Sequence, residues 1–302
     1  MKFTIEYPVA APGYDKALAS AEGMARLSRA ADALGFDAIA FTEHPAPSYK
    51  WLQTGGHESL DLVAALSFCA AHTERIRLMT YLLVVPYHHP LIAAKALTTL
   101  DLLSDGRLVV VVGTGYLRSE FLALGLEMED RNEIFDEALE MMKGAWTQLP
   151  YAFKGKHFEA RGVASVPQPR RMGGPPIVIG GNSALSRRRA ARHQGWSPLM
   201  STPEVSRTTR TPSLATVAQL AAQVREVRER AVEEQGEGTE LFIQVQSPQC
   251  KYMRNPGSVE EHRDHLGQLE AAGIDSFVLQ PSGESVEAVV AGMEQYADHF
   301  LS

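Results

Sequence analysis

Short runs of β-branched and apolar residues alternate with longer segments of helical period from one end of the chain to the other, and this alternation restricts the fold more than any single motif. Strands are predicted at Phe3 to Pro8, Phe36 to Thr42, Ile76 to Val84, Leu108 to Gly113, Ile177 to Gly180, Gly195 to Leu199, Leu241 to Gln246 and Ile274 to Gln280. Between them apolar side chains recur at spacings of three and four, as in Ala93, Ala96, Leu97, Leu100 and Leu103, or Phe135, Ala138, Leu139, Met142 and Trp146. Such stripes face a sheet. Eight strand-then-helix repeats with no low-complexity linker predict one α/β domain over residues 1–302, a single (β/α)8 TIM barrel. Two insertions interrupt the rhythm, a hairpin within about 151–165 and a polar loop at about 200–213. Taken as segments that follow strands, both belong at the mouth formed by the strands' C-terminal ends, where barrels carry their chemistry.

A chain of 302 residues with 45% hydrophobic content has enough apolar side chain for a large core. Its 29 basic and 36 acidic residues give a net charge of -7, which argues against nucleic acid or an anionic membrane as the main partner and favours a small molecule. The start, Met1-Lys2-Phe3-Thr4-Ile5-Glu6-Tyr7, has no apolar signal core, and no uncharged apolar run approaches the ~18 residues of a spanning helix, so a cytoplasmic protein is expected. Cys69 and Cys250 stand in no metal or redox spacing, and Cys69 reads as core packing. A metal-dependent barrel hydrolase would need clustered ligands, often His-x-His on the first strand, and Phe3-Thr4-Ile5-Glu6-Tyr7 has none; no metal is expected.

Four segments carry candidate chemistry. Phe41-Thr42-Glu43-His44-Pro45 ends the second strand and brings an ionisable pair to the mouth, a position that favours a functional histidine over one packed in a loop. Thr80 and Tyr81 lie on a buried strand that runs into Pro86-Tyr87-His88-His89-Pro90, where adjacent histidines point apart and suit structure or substrate contact better than a metal. Asp105-Gly106-Arg107 opens an apolar strand that leaves through Gly113-Thr114-Gly115-Tyr116; the glycines either let a planar ring approach the backbone or form a tight turn. Ile177-Val178-Ile179-Gly180-Gly181-Asn182-Ser183 exits a strand into a helix, with bare amides and a hydroxyl suited to phosphate. The Arg187, Arg188 and Arg189 run behind it either adds charge for an anionic tail or is a solvated face.

In order, these segments resemble the luciferase-like superfamily of flavin monooxygenases and deazaflavin oxidoreductases along nearly the whole chain. The strongest stretch runs from Leu102-Leu103-Ser104-Asp105-Gly106-Arg107 through Gly113-Thr114-Gly115-Tyr116-Leu117-Arg118-Ser119-Glu120-Phe121, then Arg131 and Asp136-Glu137-Ala138-Leu139-Glu140. Thr42-Glu43-His44-Pro45-Ala46-Pro47, Tyr49-Lys50-Trp51 and Val85-Pro86-Tyr87-His88-His89-Pro90 look most like the branch that uses the deazaflavin coenzyme F-420, with FMN as the alternative. The resemblance implies a homodimer and a cofactor ring across the mouth. His44, Thr80, Tyr81 and Gly113, Thr114 and Gly115 would surround the ring, Gly180, Gly181, Asn182 and Ser183 would take its phosphate, and a non-prolyl cis peptide is expected near Thr80 or Tyr81. Sugar-phosphate dehydrogenases of the superfamily carry a glutamate where this chain has Tyr116, which counts against sugar-phosphate oxidation.

On that basis His44 is the expected general acid or hydrogen-bond donor, since an imidazole exchanges protons near neutral pH, with Glu43 either orienting it or facing the barrel wall. Trp51, His57, Tyr87 and Tyr116 are candidates for the substrate wall, suited to an apolar or conjugated substrate. The expected reaction is hydride transfer with coenzyme F-420. FMN-dependent monooxygenation is the alternative, and a non-catalytic flavin-binding partner protein is the reading from another class.

Overall fold

A computed structural model describes residues 1–301. Eight parallel strands close into a barrel: β1 (Lys2–Glu6), β2 (Ala38–Phe41), β3 (Arg77–Val84), β4 (Leu108–Gly113), β7 (Ile177–Gly180), β8 (Gly195–Ser197), β9 (Phe242–Val245) and β10 (Ser276–Leu279). The remaining two, β5 (Tyr151–Lys154) and β6 (Glu159–Val163), form the hairpin. Closure is made where β1 pairs with β10 on one side and β2 on the other, with Thr4 opposite both Val278 and Ala38. The eight predicted strands are the eight of the barrel. The sixth is shorter than expected, because the chain leaves the ladder at Pro198 and only Leu199 returns to bridge Gln246.

The helices are α1 (Ala21–Ala33), α2 (Tyr49–Gln53), α3 (Leu62–Ala70), α4 (Pro90–Leu103), α5 (Arg118–Ala123), α6 (Arg131–Thr147), α7 (Ala184–Ala190), α8 (Pro203–Thr208), α9 (Val217–Gln235), α10 (Val259–Ala271) and α11 (Val286–Phe300). Each of the longer ones starts on a residue able to cap it: Ser20 accepts from Gly23, Asp61 from Ala64, Ser258 from Glu261, and Thr216 forms a capping box with Gln219. Their apolar stripes bury Leu27, Leu66, Leu97, Leu139, Val227 and Leu269 against the outward side chains of the strands, among them Ile5, Ile39, Leu78, Val110 and Ile243. No helix among the described residues is long and apolar enough to cross a membrane.

The alternation of strand side chains fills the barrel interior with a second, smaller set: Ala38, Ala40, Met79, Val109, Val111 and Val178 pack on one side. The other side is polar, with Thr4 bonded to Ser276 at 3.2 Å and Gln244 donating to Ser197 at 3.2 Å. At the opposite end from the mouth, Asp105 and Gly106 turn with positive φ into β4, and Arg107 donates to Thr73, Ile76, Ala70 and Ser104. The Asp105-Gly106-Arg107 turn is thus a clamp on the barrel's base.

One expectation fails. The hairpin lines no part of the central cavity, because it follows α6 and not a strand; its tip folds back on that helix, where Glu137 accepts from the backbone of Lys156 and His157 at 2.8 and 2.9 Å. The polar loop does follow β8. It holds α8 and brings Thr209, Arg210, Thr211 and Pro212 to the central cavity.

Two stability outcomes follow from this packing. At Gly23 in α1 a Cβ would sit 2.1 Å from the Ala17 carbonyl oxygen. Gly23→Ala, a change worth about 1 kcal/mol in favour of an open helix, is therefore expected to lower stability by about 1–3 kcal/mol through overpacking, as read from denaturant midpoints; an unchanged or raised midpoint would contradict that contact. His262, stacked on Tyr252 and bonded to Gln249 and Tyr296, is driven by burial to about 4, as burial also drives His193. Both are neutral in the fold, whereas the unfolded chain takes up protons near 6.5. Stability is then fully present above about pH 6.5 and is lost as pH falls toward 4. Melting scans across that window should show the decline, less steeply in His262→Gln, and equal slopes for the two proteins would refute the assignment.

Candidate functional site

The strands' C-terminal ends open onto a cavity of about 540 Å³, within the range of small-molecule and cofactor sites. Of the residues singled out by sequence, Glu43, His44, His57, Tyr81, Tyr87, Gly113, Thr114, Gly115, Tyr116, Gly180, Gly181 and Ser183 line it. Three do not. Thr80 is fully buried with its hydroxyl donating to the Val111 carbonyl at 2.6 Å. Asn182 spends its side chain on Leu199 and Pro212, tying the exit of β7 to the loop after β8. Trp51 stands behind the wall, its ring 4.6 Å from that of His44.

His44 is held from three directions. Its backbone exchanges hydrogen bonds with Ser59, its ring lies against Trp51, His57 and Tyr116, and its Nδ1 is 3.1 Å from Glu120 Oε2. Glu120, on α5, is 1% exposed and also accepts from the Ala46 backbone and the Tyr87 hydroxyl, each at 3.2 Å. A carboxylate on Nδ1 fixes the tautomer with its proton there, leaving Nε2 as the group that meets the cavity. Burial, with Glu120 nearby, raises the Tyr87 and Tyr116 phenols, Tyr116 to about 12, and burial lowers His57. All three are therefore neutral near pH 7.

Sequence reasoning missed Glu120, although it stands in the Leu117-Arg118-Ser119-Glu120-Phe121 stretch, and paired His44 with its neighbour instead. Glu43 does not orient His44. Successive residues at a strand end diverge, and Glu43 turns to His88 Nε2 at 2.8 Å and to the Val84 backbone N–H at 2.5 Å. Although burial opposes it, pairing with Glu43 raises His88 above its ordinary range. His89 caps α4 by accepting from Leu91.

The floor and the far wall complete the site. The Tyr81–Leu82 peptide is cis, as the resemblance led one to expect. Leu82 lies over Gly113 and Gly180, where a Cβ would meet its methyls at 2.5 and 2.6 Å, so the small residues make room for Leu82 and, above it, for a flat surface. Thr42 Oγ1 is buried on the cavity wall with no partner among the described residues. Ser183 caps α7 by accepting from Ser186, and both line the cavity near Arg131 and Arg210, which make no ion pair among the described residues. Arg189 is committed to Asp136 and Arg187 to Glu226. The remaining corner, also missed by sequence reasoning, holds Glu6, Gln246 and Gln280. A slot over Leu82, an orphaned hydroxyl on its wall, and two arginines without a carboxylate partner beside the Ser183 and Ser186 hydroxyls fit a polar ring system with an anionic tail.

Residues 1–296 match the family described as luciferase-like monooxygenase. Over 178 residues the chain is 32% identical to an FMNH2-dependent dimethylsulfone monooxygenase of Pseudomonas fluorescens, a match covering 57% of this chain and 46% of that protein. Over 164 residues it is 32% identical to an F420-dependent glucose-6-phosphate dehydrogenase of Nocardia farcinica, covering 52% and 47%. The matched segments span less than half the length of either relative. The crystal structure of the monooxygenase RslO1 from Streptomyces bottropensis superposes with a TM-score of 0.78 at 25% identity, covering 100% of this chain and 99% of that one. The chain belongs to the luciferase-like monooxygenase family.

Proposed function

We propose that the protein transfers a hydride between bound coenzyme F-420 and a small organic substrate, with His44 as the proton-exchanging group. The observation that carries this reading is the carboxylate-held imidazole at the cavity mouth, Glu120 on Nδ1 and Nε2 free, above a slot floored by Leu82. When bound, the cofactor supplies the two-electron chemistry. Glu120 holds the ring of His44 in place through Nδ1, and Nε2 is the atom that would exchange a proton with the reacting oxygen of the substrate. Trp51, His57 and Tyr116 keep water from that nitrogen, and Tyr87 fixes Glu120. Arg131, Arg210, Ser183 and Ser186 are the groups placed to receive an anionic tail. Tyr116 stands where the resemblance puts the glutamate of sugar-phosphate dehydrogenases, which counts against a sugar-phosphate substrate.

A likeness to an F420-dependent dehydrogenase supports the deazaflavin. The likeness to monooxygenases, one of them named FMNH2-dependent, supports FMN-dependent oxygenation as the second reading.

Titrating the unloaded protein with each cofactor, followed by fluorescence and absorbance, separates the two. Tight binding of coenzyme F-420 and weak binding of FMN is the expected result; preference for FMN would favour the second reading, and binding of neither would sink both. His44→Ala is expected to bind cofactor within a few-fold of wild type and to turn over about 10²- to 10⁴-fold more slowly, the span of general acid–base catalysis. Undiminished turnover would remove His44 from the chemistry.

A further inference from the structure

Glu6 is the inward-facing residue at the end of β1, and it is 4% exposed. Gln246 Nε2 donates to its Oε2 at 2.7 Å and Gln280 Nε2 to the same atom at 3.0 Å. No lysine, arginine or histidine among the described residues pairs with it. Its other oxygen, Oε1, has no protein donor, and the residue lines the cavity.

The chemistry of this corner differs from that around Glu120. Burying an ionised carboxylate without a cationic partner is costly, and a carboxyl so placed takes up a proton instead. With two amide donors on Oε2, the proton belongs on Oε1, the atom turned to the cavity. The groups around it are Tyr81 from β3, Cys250, and the cations Lys251 and Arg254 beyond β9. Burial raises the Glu6 carboxyl, the two glutamines and then Arg254 and Lys251 opposing it more weakly. Burial likewise raises Tyr81 and Cys250, so neither brings a negative charge near neutral pH.

We propose that Glu6 is a neutral carboxylic acid whose Oε1–H donates to a hydroxyl or carbonyl oxygen of the substrate, making the corner of β1, β9 and β10 a recognition site for neutral alcohols and ketones. This rests on the proposed oxidoreductase function of the same cavity, and it narrows the substrate from an apolar or conjugated molecule to one with a neutral oxygen at its buried end.

The test has two parts. Infrared difference spectra of the full chain without cofactor, wild type minus Glu6→Gln at pH 7, should show the C=O stretch of a protonated carboxylic acid; a carboxylate band in its place would overturn the proposal. Cofactor-loaded protein should bind a ketone and a secondary alcohol at least about tenfold more tightly than the hydrocarbon of the same carbon skeleton, about 1.4 kcal/mol. Glu6→Leu should erase that preference, while Glu6→Gln, which keeps an N–H donor, should retain most of it. Equal affinity for the hydrocarbon, or a preference that survives Glu6→Leu, would also overturn it. Failure of both cofactors to bind would remove the oxidoreductase reading, and the infrared band would still decide the state of Glu6.

Discussion

Closure of β1 onto β10 is the constraint on which everything else depends. A parallel sheet of eight strands bent into a cylinder sends every strand's C-terminal end to one mouth, and the pleat sends every second side chain inward. Interior positions have no access to bulk water except at that mouth, so an inward polar group must find a partner in the barrel or face the cavity. On the side formed by β2, β3, β4 and β7 the interior is apolar, with Ala40, Met79, Val111 and Val178. On the other side it carries Thr4, Glu6, Ser197, Gln244, Gln246, Ser276 and Gln280, linked by hydrogen bonds. The cavity inherits this division, with Leu82 flooring one half and amides and a carboxyl lining the other.

Two buried carboxyls share that cavity in unlike settings. Glu120 meets a histidine, a phenol and a backbone amide, three donors of which one can carry charge. Glu6 meets two neutral amides. Environments that differ in this way drive two chemically identical groups to different tasks. Glu120 works by holding an imidazole, and Glu6 by offering a hydrogen bond of its own.

Much of this was legible from the sequence. Short β-branched and apolar runs alternating with helical stripes located all eight barrel strands, because a strand covered on both faces is largely apolar and the helices between must each present one stripe. The mouth residues followed from strand ends, and His44 was found because a histidine there has little else to do. What escaped was whatever depends on side-chain direction or on contacts far along the chain. Glu43 is adjacent to His44 in sequence yet points to His88, while Glu120, 76 residues away, reaches it. Thr80 and Asn182 sit in the right segments, but their polar atoms are used by the backbone. The hairpin was misplaced because its position after a helix was overlooked. Glu6 had a visible signal, an acid at the end of a strand at the same parity as the polar Thr4, and the same alternation marks Gln244 with Gln246.

The most direct measurement is a crystal structure of the protein with coenzyme F-420 bound. The deazaflavin ring is expected over Leu82, its edge within hydrogen-bond distance of His44 Nε2, its tail toward Arg131 and Arg210, and the Glu6 corner open beside it. A ring bound outside this cavity, or inside it with His44 Nε2 left without contact to cofactor or substrate space, would contradict the arrangement described for the site.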